Sequence, residues 1–207
     1  ANGSSEPIAS ADVASALADD IGYPVIIKAA AGGGGIGMQI VHQADEFESA
    51  LKLCQSRAKS AFGDERVFVE KYIQGAQHVE FQVLADGKNA IHFGERFCSI
   101  QRRHQKLVEE GPWLTDEKRS EIGSLVCKGA EAVGYKGLAT FEFLRDANGD
   151  FYFLEVNPRV QVEHTVTELI TGYNLVELGI RVAQGEALPL KQEDITWRGH
   201  AIQCRLN

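Results

Sequence analysis

Apolar positions along this 207-residue chain repeat at two spacings, and the changes between them predict the elements. Pro24 to Ala30 reads as an apolar strand, and Met38 to His42 as a second strand beyond a glycine run. Asp12 to Asp20 predicts a short helix stopped at Gly22, and the polar residues 1 to about 10 predict loop. Phe47, Ala50, Leu51, Cys54 and Ala58 fall at helical spacing behind Asp45, which predicts a helix to about Ser60. Arg66 to Tyr72 reads as a strand. Gln77 to Ala85 and Lys88 to Ile100 predict two more strands around an Asp86-Gly87 turn. Thr115 caps a long helix that reaches Val133 and stops at Gly134. Ala139 to Arg145 and Asp150 to Asn157 flank Asn148-Gly149, a hairpin signal. Asn174 with Glu177 forms a capping box for a helix through Gln184. Strands and helices do not alternate strictly, so the expected class is α+β with a mainly antiparallel sheet.

One polar pattern breaks the apolar logic. Glu155, Asn157, Arg159, Gln161 and Glu163 stand at every second position, separated by Val156, Pro158, Val160 and Val162. In extended backbone all five would share one face. Two carboxylates, two amides and a guanidinium gathered there cost desolvation unless something binds. The carboxylates with Asn157 suit a hard cation such as Mg²⁺, and the planar Arg159 fork suits a small oxyanion. A two-residue turn at Asn148-Gly149 would set Glu142 opposite Glu155, among Phe141, Phe143 and Phe153. Opposed like charges destabilise a strand pair, and a divalent cation resolves the conflict. A pair of exposed glutamates is the plainer alternative.

The run Gly32-Gly33-Gly34-Gly35-Ile36-Gly37 follows a strand carrying Lys28. Such backbone lets N–H groups approach an anion, and Lys28 could reach a phosphate. No Gly-Lys-Ser/Thr follows, and a strand rather than a helix comes next, so neither a Walker loop nor a dinucleotide fingerprint fits. A strand–loop–strand flap does; a plain flexible turn is the alternative. Gln101-Arg102-Arg103-His104-Gln105-Lys106 reads alone as a solvated loop, and beside a phosphate flap and a metal pair as cations for a transferring phosphoryl group.

Composition narrows the function. Formal charge is −8 and pI near 5.3, which argues against non-specific binding to nucleic acid or anionic membrane. At 44% hydrophobic residues the chain can build a core. Cys54, Cys98, Cys127 and Cys204 form no CxxC pair and read as reduced thiols of a cytoplasmic protein. No apolar run reaches membrane-spanning length. Met38 is the only methionine, and the end at Ala201 to Asn207 reads as an interrupted strand, so the chain is expected to be a piece of a longer protein.

In this order, the motifs Tyr23-Pro-Val-Ile-Ile-Lys-Ala, Gly32-Gly-Gly-Gly-Ile-Gly-Met, Val69-Glu-Lys-Tyr-Ile, Cys98-Ser-Ile-Gln-Arg-Arg-His-Gln-Lys, Phe141-Glu-Phe, Glu155-Val-Asn-Pro-Arg-Val-Gln-Val-Glu-His and Cys204-Arg-Leu-Asn resemble the ATP-grasp core of a biotin carboxylase. The resemblance covers essentially the whole chain, with the Cys98 and Glu155 segments most specific. It implies ATP-dependent carboxylation of biotin by bicarbonate through carboxyphosphate, with Mg²⁺ or Mn²⁺. It implies a flap lobe over 1–72 and part of a central lobe over 73–207. By the same resemblance Lys28, Gly32, Gly33, Gly34, Gly35 and Gly37 hold ATP phosphates. Glu70, the Lys71 backbone and Ile73 border the adenine, His78 and Gln101 the ribose, and His104 the phosphates. Glu142, Glu155 and Asn157 hold the metal, and Arg159, Gln161 and the Val162 backbone take bicarbonate. Glu163 is the base, Lys106 lies by bicarbonate and the γ-phosphate, and Arg205 stabilises the biotin enolate. Arg159 would keep Glu163 ionised.

Ile36 stands where the family often has Arg or Lys. The family's N-terminal lobe, its C-terminal part and the Ala-Met-Lys-Met biotin site are not in this sequence. Implied partners are a biotin carboxyl carrier, a carboxyltransferase and bicarbonate, and homo-oligomerisation of the parent stays open. A carbamoyl-phosphate-synthetase-like ligase and an inactive nucleotide-binding module are the competing readings.

Overall fold

The computed structural model describes residues 2–31, 37–102 and 105–206. Gly32, Gly33, Gly34, Gly35, Ile36 and His104 lie outside them, so the glycine-run and His104 expectations remain sequence readings. The chain divides into two compact units, Ala1–Gly75 and Ala76–Asn207.

In the first unit, helix α1 (Ala11–Ile21) and strands β1 (Val25–Ala29) and β2 (Met38–Val41) precede helix α2 (Ala44–Phe62) and β3 (Val67–Lys71). The sheet order is β2-β1-β3, all antiparallel. The predicted helical stripe holds: Phe47, Leu51, Cys54 and Ala58 are the buried face of α2. Phe47, Leu51 and Cys54 pack on Val25, Ile27, Val67 and Val69, alternate residues of β1 and β3. Each large apolar side chain contributes about 1.5–3 kcal/mol when fully buried. Residues read as loop are tied down by bridges Gly3↔Glu70 and Ile8↔Val67 to β3.

The second unit is built on a six-stranded antiparallel sheet, β8-β7-β4-β5-β6-β9. Its strands are β4 (Gln77–Asp86), β5 (Ala90–Arg102), β6 (Gln105–Gly111), β7 (Lys136–Arg145), β8 (Phe151–Asn157) and β9 (Ala201–Cys204). Helix α3 (Asp116–Ala132) starts where expected, its Thr115 hydroxyl accepting from Lys118 N. It covers one sheet face through Ile122, Val126 and Ala130 against Val79, Phe81 and Val83. Two further helices, α4 (His164–Thr171) and α5 (Leu175–Ala183), complete the unit. Leu175, Leu178 and Val182 of α5 pack with Leu84, Ile91 and Phe93. Asn174 caps α5, accepting from Glu177 N, which is one half of the expected capping box.

The fold class is therefore the expected antiparallel α+β. Among the described residues, no helix is long and apolar enough to cross a membrane.

Candidate functional site

The polar end of the second sheet starts from alternation in β4. Val79, Phe81 and Val83 enter the core under α3, so His78, Glu80 and Gln82 share the other face. Antiparallel pairing sets Glu80 opposite Glu142 of β7 and opposite Arg96 of β5. Arg96 is fully buried. It donates to Glu80 Oε1 at 2.6 Å, to Gln82 Oε1 at 2.9 Å and to the Thr167 hydroxyl at 2.8 Å.

Lys106, at the start of β6, enters the same cluster. Its Nζ donates to Glu142 Oε1 at 2.9 Å and Glu163 Oε1 at 2.8 Å, and also bonds Glu80. Burial alone would lower the Lys106 pKa, but Glu80 and the other carboxylates outweigh it and raise it, so the amine stays charged. Arg205, just after β9, donates from Nη2 to Glu163 Oε2 at 2.7 Å and from Nε to Glu109 Oε1 at 2.9 Å. Burial would raise the Glu163 pKa; Lys106 overcomes that and lowers it. Glu109 goes the other way, its burial prevailing over Arg205. The cluster thus chains Arg96, Lys106 and Arg205 through Glu80, Glu142, Glu163 and Glu109, one carboxylate more than cations.

Glu142 and Glu155 are Cα partners across β7 and β8, as the sequence reading required. The turn that leads to this pairing is not the one expected. The connection is longer than two residues: it runs from Asp146 to Asp150, with Asp146 Oδ1 accepting from Asn148 N and Asp150 N, both at 2.9 Å. Near it Phe143 pairs with Phe153, and a bulge at Leu154 restores the Glu142–Glu155 register. Asn157 Nδ2 reaches Glu142 Oε1 at 2.9 Å and Glu155 Oε1 at 3.4 Å, so the three side chains share one side. Burial would raise the Glu142 pKa, but His78 and Lys106 hold it well below the usual carboxylate range.

The continuous polar row needs correction. Extended backbone ends at Asn157, and Arg159 N already turns back to Asn157 O at 2.9 Å. Gln161 and Glu163 are buried because the chain folds into the first turn of α4, while Arg159 stays exposed. Gln161 nonetheless returns to the site, donating to Glu142 Oε1 at 2.9 Å and leaving its buried Oε1 without a partner among the described residues. Arg159 contacts Val160 O and Asn157 Oδ1, not Glu163. The cations paired with Glu163 are Lys106 and Arg205, and Lys106, with Arg96 behind it, holds its carboxyl below the ordinary value.

His78 and Gln101 are brought together, 2.7 Å between His78 Nδ1 and Gln101 Nε2. His78 Nε2 lies 2.7 Å from Glu142 Oε2 without hydrogen-bond alignment. In the first unit Lys28 Nζ meets Glu70 Oε2 at 2.5 Å, and Lys71 Nζ donates to Gly22 O and Tyr23 O behind α1. Ile73 follows β3, and Val162 is exposed.

Sequence reasoning missed Glu80, Arg96 and Glu109. The signal was present for the first, since His78, Glu80 and Gln82 alternate with apolar neighbours.

The donor set fits a hard divalent cation. Two carboxylates and a carboxamide converge, the carboxylates outnumber the cations, and Gln161 Oε1 is orphaned nearby. Asn157 presents its nitrogen, and a half-turn of the carboxamide would present the oxygen.

A family model described as the carbamoyl-phosphate synthase L chain, ATP binding domain, matches residues 1–191. Chloroplastic biotin carboxylase 1 of Populus trichocarpa is 55% identical over 92% of this chain and 37% of its own length. The biotin carboxylase of Allochromatium vinosum is 52% identical over 92% of the chain and 43% of its own length. The Campylobacter jejuni biotin carboxylase–β,γ-ATP complex superposes with a TM-score of 0.93 at 51% identity, over 99% of this chain and 46% of that one. The biotin carboxylase domain dimer of Hydrogenobacter thermophilus 2-oxoglutarate carboxylase, in complex with MgADP, ADP and bicarbonate, gives 0.93 at 48% identity, over 98% and 46%. The chain spans less than half the length of these relatives.

Proposed function

The chain belongs to the family of the carbamoyl-phosphate synthase L chain ATP-binding domain, and on that premise we propose that it is the nucleotide- and bicarbonate-handling part of a biotin carboxylase. The reaction is ATP-dependent carboxylation of biotin by bicarbonate in the cytosol. A biotin carboxyl carrier delivers the acceptor and a carboxyltransferase uses the product. The observation that carries this reading is Glu163, buried and ionised between Lys106 and Arg205, next to Glu142.

In the flap lobe, over 1–72, Lys28 and the Gly32–Gly37 run bind phosphates, while Glu70 and the Lys71 backbone, with Ile73 just beyond, border the base. In the central lobe, over 73–207, His78 and Gln101 form one hydrogen-bonded unit that contacts the ribose, and His104 contacts the phosphates. Arg159, Gln161 and the Val162 N–H bind bicarbonate, using the exposed guanidinium and the amide beside Glu142. Glu142, Glu155 and Asn157 would hold Mg²⁺, which would supply charge neutralisation on the phosphates. Lys106 offsets charge on bicarbonate as its oxygen attacks the γ-phosphorus and ADP leaves, Glu163 accepts the bicarbonate proton, and the carboxyphosphate formed breaks its C–O bond to give CO₂ and phosphate. Arg205 stabilises the enolate of biotin that captures CO₂, and its bond to Glu163 couples the two steps.

The test has two stages. Isothermal titration of the chain with MgADP and then bicarbonate should show binding of both. In the full-length protein, ADP release should rise with free biotin and not with ammonia. Stimulation by ammonia instead would replace the reading with a carbamoyl-phosphate-type ligase.

A further inference from the structure

The first unit contains a thiol that the proposed chemistry does not use. Cys54, on α2, is 1% exposed. Its Sγ lies 2.7 Å from Gly37 O and 3.9 Å from Ile27 O. Both carbonyls belong to the β1–β2 pairing next to Lys28. Ile27 precedes Lys28 in β1, and Gly37 O also accepts from Ala29 N, the residue after it, at 2.9 Å. Gly37 has φ +75°, and a Cβ there would fall 2.9 Å from Ala29 Cβ. The end of the glycine run is therefore set in one backbone conformation, against β1, with a thiol as its second donor.

Burial raises the Cys54 pKa, so the thiol keeps the proton it must donate. A buried cysteine of this kind needs no donor role to be tolerated, since it packs as a small hydrophobe. Its aim at Gly37 O, which also accepts from Ala29 N, is what needs explaining.

We propose that Cys54 is a positioning residue: its S–H ties Gly37 to α2, beside the Ala29 N–H bond that ties Gly37 to β1, and so holds the exit of the glycine run next to the strand of Lys28 for phosphate binding. The link to phosphate rests on the function proposed above; the tie itself does not.

The test compares Cys54→Val, which keeps bulk but has no donor, with Cys54→Thr, which has nearly the same shape as valine and a hydroxyl. Amide exchange at Ala29, resolved by NMR, should rise about two- to five-fold in Cys54→Val, the scale of one weak hydrogen bond, and stay at the wild-type rate in Cys54→Thr. MgADP Kd should rise by a similar factor in Cys54→Val and be restored in Cys54→Thr. Leu51→Val, a core change one turn away, should lower the melting temperature without changing Kd. Unchanged Ala29 exchange in Cys54→Val, or equal loss in both Cys54 variants, overturns the tie. If the wild-type chain fails to bind MgADP while the exchange pattern holds, the nucleotide function falls and the tie stands.

Discussion

Arg205 meets Glu163 at 2.7 Å across 42 residues of sequence, and the other oxygen of that carboxylate is held 2.8 Å from Lys106. A single glutamate thus joins the last strand, the β5–β6 hairpin and the start of α4. Replacing it tests chemistry and structure together. Glu163→Gln in the full-length protein should abolish biotin-dependent ADP release while MgATP affinity changes less than about two-fold, roughly 0.4 kcal/mol. Steady-state turnover with parallel nucleotide titration checks this, and retained turnover would remove Glu163 as the base.

Lys106 is the common partner of Glu80, Glu142 and Glu163, so its loss leaves three carboxylates crowded without their shared cation. Lys106→Met should cost about 3–5 kcal/mol of stability, the usual penalty for stripping one member from a buried ion pair. Urea denaturation of the variant against wild type measures it.

Glu142 should govern the metal-dependent part of nucleotide binding. Glu142→Gln removes a charge beside Glu155 and Asn157 while keeping the shape. The ratio of ADP affinities with and without Mg²⁺ should fall about ten-fold or more, in line with the loss of one carboxylate ligand. Titrations with ADP at fixed Mg²⁺ and with EDTA read that ratio directly.

Acid stability should be set first by His92. Burial lowers its pKa to about 4 from 6.5. The unfolded chain therefore takes up a proton that the folded chain refuses. Stability from this group is complete above pH 6.5 and is lost as pH falls toward 4, by about 3 kcal/mol. The depressed carboxylates Glu142 and Glu163 act the same way at lower pH, as acid falls below their unfolded values. Denaturation free energies from pH 7 to 4.5 should slope down in wild type and flatten in His92→Gln.

The same imidazole leaves no room on α3. A Cβ at Gly123 would sit 2.3 Å from His92 Nε2, and the ring cannot retreat because it stacks on Trp197 at 5.9 Å. Gly123→Ala should destabilise by about 1–3 kcal/mol despite better helix propensity. A thermal melt that shows stabilisation would contradict this packing.

Local signals carry most of the fold. The Thr115 and Asn174 caps, the Phe47–Ala58 stripe and the antiparallel class are all set by neighbours in sequence, and each is readable there. What escapes is long-range. Nothing near Gln161 announces that α4 begins at His164, so alternation read from sequence runs on past the end of β8. It then gives Arg159 the partner that Lys106 and Arg205 take. Lys106 looks like part of a solvated basic run because charge alone is visible in sequence, whereas its burial comes from Glu80 and Glu142 on other strands. Arg96 and Glu109 belong to no motif. Their roles exist only once β4, β5, β6 and β9 are side by side.

The extra residue at Leu154 separates the hairpin tip from the acidic pair. Because alignment is reset between Phe153 and Glu155, a tip one residue longer or shorter need not rotate the two glutamates out of step. The outer end of this β-arm is thereby open to change in length, while the inner end keeps Glu142 and Glu155 face to face.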